Sequence, residues 1–195
     1  MSVSLAAQAY FLACDPDGGP LGRRGRAASL VRAAALTDLF LRGTLRDQDG
    51  RAERSDPGST GDLVLDDLLA GFRPDSWRAL VRRGRGDTLQ ALETQLSAGG
   101  MLAESSRTVL RRVILVPALA LVREAHARFE HALTAPLSDV DGSAAALAAL
   151  AAAAGIARSE ARRHGGRLAE LEGAAGPVPP VLRRVVAGRR AAFSS

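Results

Sequence analysis

The sequence contains no lysine, one cysteine and no long uninterrupted apolar run. With Cys14 alone, no disulfide forms within these residues, so we expect a reducing compartment and a thiol buried as a small apolar group. A membrane-spanning helix needs about 20 consecutive apolar residues, and no such run is present. The first residues lack the basic stretch of a signal peptide. We therefore expect a cytoplasmic protein, or one bound peripherally to the cytoplasmic face of a membrane.

The sequence patterns of common catalytic sites are also missing. There is no Gly-x-Ser-x-Gly nucleophile, no Walker loop and no Gly-x-Gly-x-x-Gly after a predicted strand. His126 and His131 fall on different faces of one predicted helix and His164 stands alone, so with one cysteine no metal site is predicted. The adjacent Asp66 and Asp67 point apart on a helix and indicate a solvated face. We expect no enzymatic activity, no metal and no cofactor.

The charge of the chain comes from arginine alone. All 26 basic residues are arginines, against 21 acidic residues, which gives a net charge of +5. Arginine in place of lysine, together with abundant alanine, indicates a GC-rich coding sequence and a bacterial source. A guanidinium group binds phosphate through two parallel hydrogen bonds. The composition therefore predicts an anionic partner, which is a phospholipid, a nucleic acid or an acidic protein.

One segment, Leu30–Leu45, is predicted to organise the fold. It is apolar on nearly every side at helical spacing, which is typical of a buried helix. Asp38 and Arg42 lie one turn apart and are expected to pair, and Gly43 is expected to end the helix. With 195 residues, 47% of them hydrophobic, the chain predicts one domain over residues 1–195. The fold class is mainly α: a single compact helical domain around this central helix, with small β-hairpins.

Local signals place the remaining elements. A hairpin is predicted around Asp47–Gly50, and another joins Met101–Ala103 to Val109–Val116 around Glu104–Thr108. Asp62 and Ser76 are expected to cap helices, Trp77 to anchor one, and Gly173–Pro180 to be a linker. The further predicted helices are Leu5–Cys14, Leu63–Leu69, Pro74–Val81, Thr88–Ala98, Leu119–Leu133, Ser143–Ala154, Ile156–Leu171 and Val181–Phe193.

The pattern Arg-Arg-Gly-Arg occurs twice, at residues 23–26 and 82–85, each time as a predicted loop before a helix. Guanidinium groups beside a helix N-terminus favour phosphate, because the N–H groups and the helix dipole both attract an anion. If the loops were adjacent, six arginines would contribute about 6 kcal/mol at an anionic membrane, at roughly 1 kcal/mol each. The alternative is two separate, solvated loops. The six residues are Arg23, Arg24, Arg26, Arg82, Arg83 and Arg85.

Two stretches carry the most distinctive motifs of the chain. They are Leu39-Phe-Leu-Arg-Gly-Thr-Leu45 and Ser55-Asp-Pro-Gly-Ser-Thr-Gly-Asp-Leu-Val-Leu-Asp-Asp-Leu-Leu69. Both resemble the Golgi phosphoprotein 3 family. The family has a leucine-rich helix ending in Leu-Arg-Gly, a hairpin, and then Thr-Gly-Asp before Leu-Leu-Asp-Glu-Ala-Leu. Trp77 and Leu96–Leu102 are similar to later family motifs. The order of motifs runs from about Leu5 to Phe193, with an Ala-rich C-terminal half that matches only in outline.

The resemblance implies a helical domain with a projecting hairpin, which binds phosphatidylinositol 4-phosphate at a membrane surface. Its lipid-pocket arginine in the central helix corresponds to Arg32. The pocket tryptophan corresponds to Arg23, and two further arginines fall near Gly86 and Leu89, so three pocket residues differ here. Arg82, Arg83 and Arg85 lie a few residues earlier and are candidate substitutes. Another anionic headgroup is therefore an equal candidate ligand.

The resemblance also implies protein contacts. Eukaryotic family members bind the cytoplasmic tails of Golgi glycosyltransferases, and the family's hairpin contributes to oligomer contacts. The corresponding hairpin here is Ala103–Pro117, with Val113–Val116 as its apolar strand, and we predict homo-oligomer formation through it. The alternative is an ordinary core strand.

Two other functions remain open from the sequence. Helix Thr88–Ala98 and the hairpin after it have the outline of a winged helix, as in a DNA-binding regulator. Only Gln90, Thr94 and Gln95 on that helix suit base edges, so nucleic acid is not the expected partner. The basic C-terminal helix alternatively suits a protein-interaction adaptor.

Overall fold

The computed structural model describes residues 3–17, 19–56, 58–107, 112–156 and 158–191. Within them the chain is mainly helical, with small antiparallel sheets, as predicted. The helices are α1 (Leu5–Leu12), α2 (Arg24–Leu41), α3 (Leu63–Ala70), α4 (Trp77–Arg82), α5 (Arg85–Ala98), α6 (Leu119–Thr134), α7 (Gly142–Ala154), α8 (Arg158–Arg163), α9 (Gly165–Ala174) and α10 (Val178–Ala191). The strands are β1 (Leu45–Gln48), β2 (Arg51–Arg54), β3 (Asp75–Ser76), β4 (Leu102–Arg107) and β5 (Arg112–Pro117).

Helix α2 is the predicted central helix, and it begins earlier than expected. Its residues from Ala27 to Leu39 are buried except for the half-buried Arg32. Helices α1, α4, α5, α7 and α10 all pack against it. Gly43 follows its C-terminus with φ +74°, a conformation that glycine adopts without steric cost. A helix surrounded on all sides by other helices requires the all-round apolar pattern seen in the sequence.

Asp38 connects α2 to the start of α1. One of its carboxylate oxygens accepts a hydrogen bond from Arg42 Nε at 2.7 Å, which forms the predicted ion pair. Its other oxygen accepts the backbone N–H of Leu5 at 3.0 Å, which satisfies one of the free N–H groups in the first turn of α1. The side chain is buried, so a polar group in the core is fully bonded. The sequence predicted the local pair and gave no sign of the contact with α1.

The predicted first hairpin forms, and a third strand extends it. Strands β1 and β2 pair from Leu45↔Arg54 to Gln48↔Arg51, and β3 adds to the far edge of β2. The turn consists of Asp49 and Gly50, both with positive φ, which is the geometry of a tight hairpin turn. Trp77, the predicted anchor, is buried and donates its indole N–H to Asp47 in β1.

Helix α3 starts at its predicted cap, but one of its acidic residues is not solvated as expected. Asp62 accepts the backbone N–H groups of Val64 and Leu65, and Ser76 caps α4 in the same manner through Ala79. Asp66 turns back over the preceding loop and accepts from Ser59 Oγ and from both N and Oγ1 of Thr60. The solvated-face prediction is therefore wrong for Asp66 and correct for the exposed Asp67.

The second hairpin, β4–β5, pairs from Leu102↔Pro117 to Arg107↔Arg112. The predicted turn Glu104–Thr108 is wrong up to Arg107, because those residues belong to β4. Thr108 lies outside the described residues, with 109–111. Met101 connects the hairpin to the helices on either side of it: its N–H donates to the carbonyl of Leu96 on α5, and its carbonyl accepts from the N–H of Ala118, just before α6. Pro117 ends β5, as expected of a residue without a backbone N–H donor.

The C-terminal third differs most from prediction. Gly155 adopts φ +68° and ends α7, and two helices, α8 and α9, replace the single predicted helix 156–171. The predicted linker at 173–180 is mostly helical, because α9 continues to Ala174 and α10 begins at Val178. Pro179 and Pro180 fall in the first turn of α10, where a proline loses no helical hydrogen bond. Residues 192–193 of the predicted last helix lie outside the described residues.

Candidate functional site

Arg32 is held at the junction of α2, α4 and α5. Its Nε donates to the carbonyl of Leu80 at 3.0 Å, a group in the last turn of α4. Carbonyls in a final helical turn lack a partner within the helix, so they are ready acceptors. Nη1 donates to the Thr88 hydroxyl at 3.0 Å, in the first turns of α5. The guanidinium group, half-buried, is thus fixed by two elements distant in sequence.

Gly84 and Thr88 shape the wall behind this guanidinium group. Gly84 adopts φ +64° between α4 and α5, and its carbonyl accepts a hydrogen bond from Thr88 Oγ1 at 2.9 Å. Thr88 Oγ1 therefore donates to Gly84 and accepts from Arg32 at the same time. A Cβ placed at Gly84 would lie 3.8 Å from Arg32 Nη1. Gly84 is also the N-cap residue of α5 and has no side chain to cap that helix.

The charges around Arg32 are mixed. Arg83, 61% exposed, forms an ion pair with Asp75 at 2.8 Å, and Arg82 is exposed beside it. Burial lowers the pKa of the Arg32 guanidinium, and the nearby charge of Arg83 lowers it further, whereas Asp87 opposes both effects. Bringing an anion to this position would relieve the repulsion between the two guanidinium groups. Arg85 is half-buried in the first turn of α5, where it also interacts with another group.

Arg24, another predicted site residue, is bound within the structure. Its guanidinium donates to Glu93 through two bonds, of 2.7 and 2.5 Å, and Glu93 also accepts from the Tyr10 hydroxyl at 3.4 Å. Glu93 is buried, and burial of Tyr10, followed by its electrostatic interactions with Cys14 and Glu93, raises the pKa of Tyr10 far above its ordinary value. This contact joins α1, α2 and α5, so Arg24 serves packing.

Arg23 and Arg26 lie on a different side, along a cavity of about 870 Å³. The end of α1, the start of α2, one face of α6 and the α7–α8 junction form its walls. Arg26 Nη1 approaches the carbonyl of Gly155 at 3.5 Å. Cys14 also lines this cavity and is buried, as predicted; burial raises the pKa of its thiol to about 12.

The structure separates the two arginine repeats. Arg24 contacts Glu93 in the body of α5, whereas Arg32, two turns further along α2, contacts Thr88 near the start of α5. The first repeat therefore lies beside the middle of α5 and along a cavity that the second repeat does not line, whereas the second repeat leads into the N-terminus of α5, so the six arginines do not form one cluster. The expectation of flexible loops is also wrong for Arg24, Arg26 and Arg85, which lie in helical first turns. Spacing alone could not show this, because it depends on the direction in which α5 crosses α2.

Sequence patterns missed the residues that orient Arg32. Leu80 and Thr88 contribute a carbonyl and a hydroxyl, which carry no distinctive motif. The second Arg-Arg-Gly-Arg repeat, at residues 82–85 before a helix, was the available signal, since it predicted a phosphate site. Gly86 and Leu89, where the family resemblance places two arginines, supply no charge. Asp87, between them, contributes a negative charge instead.

Fold and site together define a mainly α protein with a preoriented cationic group where three helices meet. The model of the family Golgi phosphoprotein 3 (GPP34) matches residues 5–188. The match covers most of the chain, so the chain belongs to the Golgi phosphoprotein 3 family, and the predicted resemblance is confirmed. No curated protein matches the chain. Among the helices described, none is long and apolar enough to cross a bilayer.

Proposed function

We propose that the protein is a non-enzymatic peripheral membrane protein of the cytoplasmic face, which binds the phosphate of an anionic phospholipid headgroup at Arg32. Phosphatidylinositol 4-phosphate is one candidate headgroup, and another anionic phospholipid is the alternative. Membership of the Golgi phosphoprotein 3 family supports association with membrane lipid. The observation that carries the proposal is the fixed orientation of the Arg32 guanidinium group.

Two of the three Arg32 nitrogens bond to the protein, which holds the guanidinium plane in place. No described residue accepts a hydrogen bond from Nη2, so its N–H groups remain for a ligand. A phosphate that binds a preoriented guanidinium group loses less side-chain entropy than one that must order a flexible arginine. Burial around Arg32 also strengthens its attraction for an anion, because the local dielectric is lower than that of water.

The affinity of a single site is expected to be weak. At roughly 1 kcal/mol per basic residue near an anionic surface, Arg32, Arg82 and Arg83 together contribute about 3 kcal/mol. Eight arginines and three glutamates lie between residues 156 and 195, so this segment alone carries a charge of +5, equal to that of the chain. General attraction by this segment, followed by docking at Arg32, gives a reversible membrane interaction. Self-association through the β4–β5 hairpin would multiply the affinity.

Vesicle flotation at two salt concentrations tests the proposal. Arg32→Ala is expected to lower binding to vesicles with phosphatidylinositol 4-phosphate or phosphatidylglycerol by about tenfold or more, since a charge-assisted hydrogen bond is lost. Arg167→Ala is the matched control, because Arg167 is half-buried and also donates to backbone carbonyls, of Ala132 and Ala135. Circular dichroism would verify that both variants fold.

A second pair of variants separates the site from general charge. Arg83→Ala should reduce flotation more than Arg163→Ala, because both variants lose one charge of the general attraction and only Arg83 lies near Arg32. Arg163 is a matched control because it is 67% exposed and pairs with Glu160, as Arg83 pairs with Asp75. Equal loss in the two variants, or binding that Arg32→Ala leaves intact, would contradict a site at Arg32.

The other candidate functions gain less from the structure. Of the three α5 residues suited to base edges, Gln95 already bonds Val64 N and Asp62 of the α3 cap. The adaptor hypothesis rests on the basic C-terminal helix α10. There Arg183 already forms an ion pair with Glu172 on α9, whereas Arg184 is exposed. Competition with duplex DNA in the flotation experiment tests the regulator. Tight DNA binding with no flotation would favour it.

A further inference from the structure

Asp87 on α5 lies near Arg32 on α2 but does not form an ion pair with it. Both groups face the same small space over Gly84: a Cβ placed there would lie 3.8 Å from Arg32 Nη1 and 3.8 Å from Asp87 Oδ2. The two atoms are therefore no more than about 8 Å apart. The ion pairs recorded for the described residues, all within 4.0 Å, do not include this one. A cation and an anion consequently flank a gap that a glycine leaves open.

Asp87 places a hydrogen-bond acceptor next to the position at which a phosphate would bind Arg32. A carboxylate accepts hydrogen bonds and offers no donor, so it repels a phosphate but attracts a hydroxyl or an ammonium group. Asp87 is exposed, so its carboxylate can be reached from solvent. A phosphate bound to Arg32 would thus hold the next atoms of its headgroup within reach of Asp87.

From this geometry we propose that Asp87 is a specificity-determining residue that accepts hydrogen bonds from headgroup hydroxyls, so that the site selects a phospholipid with a polyol headgroup. The inference rests on the proposed function of Arg32. It names the class of ligand: a phosphodiester or phosphomonoester whose neighbouring carbons carry hydroxyl groups. An anionic lipid without hydroxyls satisfies Arg32 and leaves the Asp87 carboxylate close to a like charge.

A hydroxyl suits the site better than an ammonium group. Arg83 lies close enough to Arg32 for its charge to act on that guanidinium group, so two guanidinium groups and the Asp87 carboxylate act on this region. A neutral donor bonds the Asp87 carboxylate without repulsion from these guanidinium groups, whereas a second cation would meet it. Ethanolamine headgroups are therefore expected to bind less well than glycerol headgroups.

The test compares two lipids of equal charge. Phosphatidylglycerol and phosphatidylmethanol are both singly charged phosphodiesters, and only the first carries headgroup hydroxyls. Wild-type protein should bind vesicles doped with phosphatidylglycerol about tenfold more tightly, the worth of a hydrogen bond to a charged acceptor. Asp87→Ala should remove this preference, and Asp87→Asn, which keeps an acceptor oxygen, should retain part of it. Asp67→Ala, at an exposed position on α3, is the matched control.

Other outcomes would overturn the inference. If Asp87 only repels anions, Asp87→Ala and Asp87→Asn would raise binding to both lipids equally and leave their ratio unchanged. Tighter binding of phosphatidylethanolamine vesicles would assign Asp87 to an ammonium group instead. If wild type binds both anionic lipids equally and Arg32→Ala abolishes both, the inference fails while the proposed function stands. Binding to neither lipid would contradict the proposed function and the inference with it.

Discussion

Thr88 shows how one hydroxyl can decide the orientation of a functional group. It is buried, and its oxygen connects the Arg32 guanidinium to the Gly84 carbonyl. If the Thr88 hydroxyl were removed, Arg32 and the Gly84 carbonyl would each lose a hydrogen bond. Because both groups are half-buried, water would replace these bonds only in part. Thr88 thereby couples the conformation of the α4–α5 junction to the position of the candidate ligand group.

Replacing Thr88 with valine should affect both stability and lipid binding. We expect the free energy of unfolding to fall by about 1–3 kcal/mol, because Arg32 Nη1 loses its partner and the Gly84 carbonyl keeps only the backbone N–H of residue 88. Binding to anionic vesicles should fall several-fold, since Arg32 is no longer held. Chemical denaturation and flotation would measure the two effects. Thr88→Ser keeps the hydroxyl and should restore binding; failure to do so would argue against an orienting role.

Residue roles were only partly accessible from the sequence. Arg32 was identified through the family resemblance, and its role as a ligand group is a proposal. Asp38 was predicted as a pairing partner because Arg42 lies one turn away. Thr88 and Asp87 carry no local signal, because their roles arise from α4 and α2, which lie elsewhere in the sequence.

At the scale of elements, the contact of Glu93 with Arg24 and Tyr10 fixes α5 against α1 and α2. The Glu93 side chain is 8% exposed while that of Arg24 is 57% exposed, so the pair lies at the edge of the core. The bidentate geometry and the Tyr10 bond satisfy a carboxylate that burial would otherwise disfavour. The relative position of α2 and α5 sets where Arg32 meets Thr88.

Truncation of Glu93 should therefore destabilise the protein. Glu93→Ala is expected to lower the free energy of unfolding by about 1–3 kcal/mol, because the Tyr10 hydroxyl loses its buried acceptor. Urea denaturation would measure the change. Glu53→Ala is the control, since Glu53 pairs with Arg46 on the exposed hairpin and such pairs contribute about 0–1 kcal/mol. Equal effects of the two substitutions would contradict a structural role for Glu93.

The loop before α3 should respond to acid through Asp66. Hydrogen bonds from Ser59 and then Thr60 lower the pKa of this carboxyl from 3.8 to about 2. A depressed pKa means that the stabilisation is complete above the ordinary pKa of about 4 and is lost as the pH falls towards 2. The protection of the Thr60 amide against hydrogen exchange, relative to its intrinsic rate at each pH, should fall in this window. In Asp66→Asn this protection should be lower throughout and less sensitive to pH, whereas Asp67→Asn should behave like wild type.

Elements were predicted best where the signal was local. The caps at Asp62 and Ser76 were found because a capping side chain and the N–H it binds lie within three residues. The composition of the two basic repeats and of the Pro/Gly segment predicts loops, yet helices extend into them. Tertiary packing against α2 and α7 stabilises these first turns more than their composition disfavours them.

At the scale of the whole molecule, self-association through the β4–β5 hairpin remains a prediction. Leu115 on β5 packs against the core, and the neighbouring Val116 is half-buried on the opposite face of the strand. Apolar residues on such a face are suited to contact with a second copy. Doubling a weak lipid site would convert marginal binding into useful avidity.

Sedimentation velocity over a range of concentrations would test this association. We expect the wild-type sedimentation coefficient to rise with concentration and Val116→Lys to shift the protein to monomer, because a charge on the contact face must be desolvated. Lipid flotation of this variant should weaken while Arg32 remains intact. A monomeric mass for wild type at high concentration would contradict the prediction.

The sequence by itself determined the fold class, the central helix, the caps and the family, because each depends on residue type at short, fixed spacing. Only the tertiary structure decided which arginines act together. In the structure Arg24 is paired with Glu93 at the edge of the core, and Arg23 and Arg26 line a separate cavity. Arg32 lies beside Thr88 and near Asp87. The physical reason is that charge–charge and hydrogen-bond geometry vary over a few ångströms, and the relative direction of two packed helices sets those distances.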